Sequence, residues 1–208
     1  DTTSGLPAGL AQQYDIPVIP QVIMFGDESY LEGVEMDHAT FLTRLRTSKT
    51  LPKTAAPPPG LFVDVFRARA RPGDTVLCIH PSAELSGTMR SALTAAADFP
   101  DMDIRVLDTR TIAGPLAALA LMAAQWAAQG QDADAIMAGL HAMIPRAHVY
   151  FLVDTLEYLQ KGGRIGGAAA LIGSVLQVKP ILELREGRVE PLERERTQRK
   201  ALARLKEM

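Results

Sequence analysis

An apolar run of strand length at residues 75–79 and a second strand over residues 104–108 are each followed by a stretch of helical spacing, and this alternation constrains the fold more than any other feature. A strand that is apolar at every position has to be covered on both faces. Intervening helices supply that cover when the strands run parallel. The first run leads into a helix over residues 88–97, with Met89, Ala92 and Ala96 on one side. The second leads into an alanine-rich helix, after which Asp132 can cap a further helix carrying Ile136, Met137, Leu140 and Met143. Residues 149–153 form a third such run. The expected class is α/β, a parallel sheet with helices on both faces.

Upstream, residues 16–25 read as a β-rich run that ends in a Gly26-Asp27 turn. Asp37 can cap a helix that gathers Phe41, Leu42 and Leu45 on one face. Residues 51–60 carry four prolines' worth of stiffness (Pro52, Pro57, Pro58, Pro59), so they can be neither helix nor central strand. A short helix is expected over residues 61–69. The pattern changes near residue 147, and residues 181–193 read as a hairpin turning at Glu186-Gly187. The expected division is an N-terminal α/β domain over residues 1–146 and a second α/β domain with antiparallel strands from 147 to 208.

Charge excludes some functions. Lys plus Arg number 22 against 24 for Asp plus Glu, a net charge of -2, so no global basic field exists to attract nucleic acid. His38, His80, His141 and His148 are scattered without ligand spacing, so no metal site is expected. Cys78 is the single cysteine, which fits a reducing compartment, and no leader is visible, so a cytoplasmic location is expected. Residues 111–131 carry no charge, but alanine, Gly114, Pro115 and three glutamines make them a buried helix rather than a membrane span.

The loop between residues 80 and 88 carries the chemistry. A strand leading through Ser86-Gly87-Thr88 into a helix aims unpaired N–H groups and the positive end of the helix dipole at an anion. Ser86 and Thr88 offer hydroxyls and Gly87 permits close approach, a set suited to a carboxylate or a phosphate. The plainer reading is that Ser86 only caps the helix. The loop lacks the Gly-Lys-Ser/Thr ending of a phosphate-binding loop and the glycines of a dinucleotide fingerprint. It also lacks the elbow that would make Ser82 or Ser86 a nucleophile. His80, at the end of a buried strand, reads as structural.

Lys161 and Arg164 flank Gly162-Gly163 at an expected helix end, where cations are favourable in any case. Residues 165–176 mix small residues with branched aliphatics, which suits either helix packing or the wall of an apolar channel. Residues 194–206 read as a solvated amphipathic helix.

His80-Pro81-Ser82-Ala83-Glu84-Leu85-Ser86-Gly87-Thr88 resembles the Ser-Ser-x-Leu-Ser-Gly-Thr signature of the DegV family. Asp1-Thr2-Thr3-Ser4 is similar to that family's opening turn, without the strand before it. Phe25-Gly26-Asp27, Pro52-Lys53-Thr54, Val106-Leu107-Asp108-Thr109, the block from Thr155 through Gly162-Gly163-Arg164-Ile165, and Val178-Lys179-Pro180 also look like it. The resemblance implies a carrier, not an enzyme. It would bury a long-chain fatty acid between two α/β domains and present the carboxylate to a fatty acid kinase. It would need no cofactor, no metal and no stable membrane insertion. Carried over by position, Ser86 and Thr54 hold the carboxylate, with Gly87 and Thr88 beside them, and Lys161 and Arg164 meet the acyl phosphate or the kinase. Ala55 and Ala56 stand where the family has a Ser-Gln pair, which removes polar contacts. The second domain is expected to be cut short. Two other classes stay open: a phosphotransferase of the dihydroxyacetone-kinase-like fold, for which no metal-holding carboxylates beside a phosphate loop are visible, and a regulatory protein without ligand.

Overall fold

A computed structural model describes residues 1–173 and 178–208. In chain order these comprise α1 (Ala8–Gln13), β1 (Val22–Phe25), β2 (Glu28–Leu31), α2 (His38–Thr47), β3 (Lys53–Ala55), α3 (Pro59–Arg69), β4 (Thr75–His80), α4 (Thr88–Ala96), β5 (Asp103–Asp108), α5 (Ala113–Ala128) and α6 (Ala133–Met143). Then follow β6 (Tyr150–Leu152), α7 (Glu157–Lys161), β7 (Lys179–Arg185), β8 (Arg188–Glu195) and α8 (Gln198–Glu207), with short 3₁₀ turns between.

The expected parallel sheet is present as the pair β4 and β5, in register from Thr75 opposite Asp103 to His80 opposite Asp108. Its two faces are covered as the apolar runs require. Val76, Cys78, Ile104 and Val106 pack against Phe62 and Phe66 of α3 and Ala92 and Ala95 of α4. Leu77, Ile79 and Leu107 point the other way, onto Leu119 and Ala123 of α5 and Ile136 and Leu140 of α6. Odd and even positions of one strand thus feed separate cores, the consequence of a two-residue period.

Residues 149–153 give the third strand, but β6 lies elsewhere, antiparallel to β7, in the sheet β6-β7-β8. The β7–β8 hairpin turns at Glu186 and Gly187, both at positive φ (50° and 83°), as the sequence suggests. The N-terminal run is shorter than expected. Strand structure begins only at Val22, because Pro17 and Pro20 interrupt the residues before it. β1 is flanked by β2 and β3, both antiparallel. The proline-rich segment therefore does contribute a strand, Lys53–Ala55, at a sheet edge, and contrary to expectation its last residues, Pro59 and Gly60, open α3, where a proline in the first turn lacks only an N–H that would have no partner.

Caps fall where the sequence places them. Asp37 accepts from the Thr40 N–H and Asp132 from the Ala135 N–H. The last helix starts at Gln198, after a Thr197 cap, and buries Ala201 completely while Arg204 holds Glu193 of β8 through two bonds of 2.8 Å. Within residues 165–176, Ala168 and Leu171 are buried with Leu156, Leu182 and Val189. Ile172 is 49% exposed, and Ser174, Val175 and Leu176 lie outside the described residues. No helix among the described residues is long and apolar enough to cross a membrane.

Candidate functional site

The loop after β4 is tied to distant parts of the chain along its length. Ser82 is fully buried and donates its hydroxyl to the Gly187 carbonyl at 2.8 Å, joining the loop to the β7–β8 turn. Leu85 packs against the third core, that of Leu156, Leu171 and Leu182. The Arg164 guanidinium then donates from Nε to the Leu85 carbonyl at 3.0 Å. Pinned in this way, the chain enters α4 with Ser86 half-buried, Gly87 exposed and Thr88 fully buried.

Gly87, not Ser86, is the N-cap of α4, and no side chain accepts from the second or third helical N–H there. Ser86 instead stands one residue earlier. Its hydroxyl oxygen accepts from the Thr88 N–H at 3.3 Å and lies 2.8 Å from the Thr88 hydroxyl. The Thr88 hydroxyl also accepts from the Gln21 side-chain amide at 3.0 Å, and the same amide nitrogen donates to the Asp1 carboxylate at 2.7 Å. The first N–H groups of α4 and its dipole converge on this corner.

The proline-rich segment closes one side. A Cβ added at Gly87 would lie 3.4 Å from the Ala56 Cβ, so this glycine lets the two segments touch. Thr54 stands two residues earlier on β3, opposite Ile23 of β1, with its side chain exposed. Ser86, Gly87 and Thr88 thus form one cluster, Thr54 lies on the adjoining strand, and Arg164 reaches the loop one residue before Ser86. Lys161 forms an ion pair with Glu157, whose carboxylate holds the ammonium above its ordinary pKa.

Gln21 was not singled out from the sequence, Ser82 was weighed only as a nucleophile, and Leu85 entered only as part of the loop signature. Gln21 is 67 residues from Thr88 and Ser82 is 105 from Gly187, so the partners that give them a role are remote in the chain. A glutamine in an otherwise apolar strand run was the one available signal.

A cavity among the described residues lies in a different place. About 910 Å³ opens along the edge of β4 that β5 does not occupy, between α3 and α5, lined by Ile19, Phe62, Val76, Cys78, His80 and Leu116 among others. Ser86, Thr54 and Arg164 do not line it. Cys78 and His80 are buried there. Burial pushes the thiol up to about 12 and the imidazole down to about 3, so both are neutral near pH 7. Among the described residues no group of three or more His, Cys, Asp or Glu is placed to hold a metal ion.

Comparison with known proteins bears on this arrangement. The family model described as "Uncharacterised protein, DegV family" matches residues 1–208. A DegV domain-containing protein of Streptomyces coelicolor is 41% identical over 209 residues, covering 100% of this chain and 74% of its own length. The crystal structure of DegV from Bacillus subtilis, described as a fatty acid binding protein, is 34% identical with a TM-score of 0.90, covering 100% of this chain and 74% of that one. A structure from Thermus thermophilus, described as fatty acid binding of a DegV family protein, is 36% identical with a TM-score of 0.89, covering 99% of this chain and 75% of that one. With its α/β fold, its parallel strand pair and its Leu-Ser-Gly-Thr loop, the chain belongs to the DegV family.

Proposed function

We propose that this chain is a fatty-acid-binding carrier that holds the ligand's carboxylate at Ser86. The observation that carries the reading is the half-buried Ser86 hydroxyl, fixed at the N-terminus of α4 in a fold shared with structures described as fatty acid binding. A carboxylate removed from water needs donors, and a hydroxyl beside unpaired helical N–H groups supplies them. The hydrocarbon tail contributes roughly 0.8 kcal/mol for each buried CH₂, so a dry groove beside the mouth binds strongly without catalytic machinery. Gly87 borders the same corner, Thr88 supports it from behind, and Thr54, on the adjoining strand, is the proposed second hydroxyl for the carboxylate. The acyl chain then occupies the side facing Leu85 and Ile172 rather than the groove at β4. The change of sheet after residue 146 supports a division into domains over 1–146 and 147–208, with the ligand between them.

Extracting the purified protein with organic solvent and identifying released lipid by mass spectrometry tests the reading. A fatty acid in near-stoichiometric amount is expected. In Ser86→Ala, loss of a charge-assisted hydrogen bond of about 1.5–3 kcal/mol should lower affinity roughly tenfold or more. Protein that releases no lipid and fails to take up added fatty acid would overturn it.

The same reading extends to a cytoplasmic partner kinase that phosphorylates the presented carboxylate. Arg164 supports this, since its exposed guanidinium lies beside the loop that holds Ser86. Arg164→Glu should slow phosphorylation at least tenfold while leaving bound lipid within twofold. Equal losses in both would count against a partner contact.

A further inference from the structure

We infer that Asp1, Gln21 and Thr88 form a hydrogen-bond relay that turns the Ser86 hydroxyl into an obligate donor, so that the mouth selects the ionised form of an acid. This rests on the carboxylate reading of Ser86 and deepens it.

The direction of each bond can be worked out from chemistry. An ionised Asp1 carboxylate can only accept, so the Gln21 atom facing it at 2.7 Å is the amide nitrogen. The second hydrogen of that same nitrogen points to the Thr88 oxygen at 3.0 Å. Thr88 therefore accepts from Gln21, and its own proton needs an acceptor. The residue is 0% exposed, so water does not serve. The Ser86 oxygen, 2.8 Å away, is the acceptor that the described residues provide. Ser86 already accepts from the Thr88 N–H as well. With its lone pairs engaged by two donors, its remaining proton is directed outward to the mouth. The reverse arrangement, Ser86 donating to Thr88, would leave a buried hydroxyl proton unmet.

The far end of the relay is fixed too. The Asp1 carboxylate accepts from the Thr3 N–H at 2.9 Å and from the Thr3 hydroxyl, and Gln21 itself is 6% exposed. The charged groups that the described residues place along this line are the Asp1 carboxylate behind Gln21, the buried α-ammonium of the same residue, the Arg164 guanidinium on the Leu85 carbonyl, and Glu84, which is paired with Arg188. The relay keeps the Asp1 carboxylate at a distance while passing its polarisation forward through Gln21 and Thr88. Thr88 and Gln21 are thus positioning residues that act through Ser86.

The test is a pH titration of 1-¹³C-labelled hexadecanoate bound to the full chain, followed by the carbon resonance of its carboxyl. A donor that favours the ionised form lowers the carboxyl pKa. Thr88→Val, which removes the hydroxyl and keeps the shape, should raise the bound carboxyl's pKa by roughly one unit, and Thr88→Ser should restore the wild-type value. A purely structural role would lower occupancy without moving that pKa, and this result would overturn the relay. If Thr88→Val does not fold, Gln21→Met provides the second reading. It leaves the Thr88 proton undirected and should move the pKa in the same direction by a smaller amount; no movement again overturns the relay. Wild-type protein that binds no hexadecanoate would sink the carboxylate reading and the relay with it. Binding with an unshifted Thr88→Val titration would sink the relay alone.

Discussion

Burial decides the chemistry of His80. It is 3% exposed, meets the edge of Phe62 at a ring separation of 5.4 Å, and neither ring nitrogen has a hydrogen-bond partner among the described residues. Its pKa falls from 6.5 to about 3, chiefly through desolvation. Above pH 6.5 both folded and unfolded chains carry a neutral imidazole. Between pH 6.5 and 3 the unfolded chain binds a proton that the folded one refuses, so stability falls as the pH falls, by about 1.4 kcal/mol per unit from this group. Denaturant midpoints from pH 7 to pH 4 should show that slope, and His80→Phe should remove it. An unchanged slope would mean that His80 is hydrated in solution. The sequence placed this histidine in a structural role at a strand end. Its empty hydrogen-bonding positions, in contrast, depend on Phe62, whose place no local pattern gives. Ser86 shows the same division. Its residue type and its position before a helix were readable, but Gly87 as the cap, and Thr88 and Gln21 as the partners, were not.

At the scale of elements, the hairpin and the signature loop hold each other. Gly187 has φ +83°, and a Cβ there would come within 2.4 Å of the Ser82 hydroxyl oxygen. Gly187→Ala should therefore combine backbone strain with loss of the buried Ser82 bond, a destabilisation of about 2–4 kcal/mol. Thermal or denaturant unfolding measures this, and a change below 0.5 kcal/mol, the size of an ordinary surface substitution, would show that the turn and loop do not pack as described. The nearby Glu84–Arg188 pair at 2.9 Å is an exposed bridge whose removal should change little. In the parallel half, Leu140 of α6 is 0% exposed among Leu107, Leu119 and Ile136. Leu140→Ala should cost about 2–5 kcal/mol in the same measurement, and a cost under 1 kcal/mol would mean the site collapses freely. The helices expected over residues 61–69 and 88–97 and after Asp132 are present as Pro59–Arg69, Thr88–Ala96 and Ala133–Met143; the second and third were legible because their apolar positions repeat at helical spacing and Asp132 marks a start. Strand β3 was hidden by the prolines that flank it, Pro52 and Pro57, and its place at a sheet edge is what permits it.

For the whole molecule, the proposed place of the acyl chain lies outside the groove along β4, and a substitution in that groove tests it. The groove of about 910 Å³ along β4 is apolar on several sides but has no contact with Ser86. Ala120 of α5 lines it. Ala120→Trp should leave fatty acid affinity within twofold while Ser86→Ala lowers it, as read by displacement of a fluorescent fatty acid. The opposite pattern would move the ligand into the groove. Family membership and the α/β class follow from the amino-acid sequence, because apolar period, caps and a short loop signature are local properties that survive without coordinates. The pairing of β6 with β7 rather than with β5, the contact of Arg164 with Leu85 across 79 residues, and the line from Asp1 to Ser86 were decided by the tertiary structure. Each joins groups distant in the chain, and a hydrogen bond's direction depends on which partners folding leaves within reach and which it shields from water.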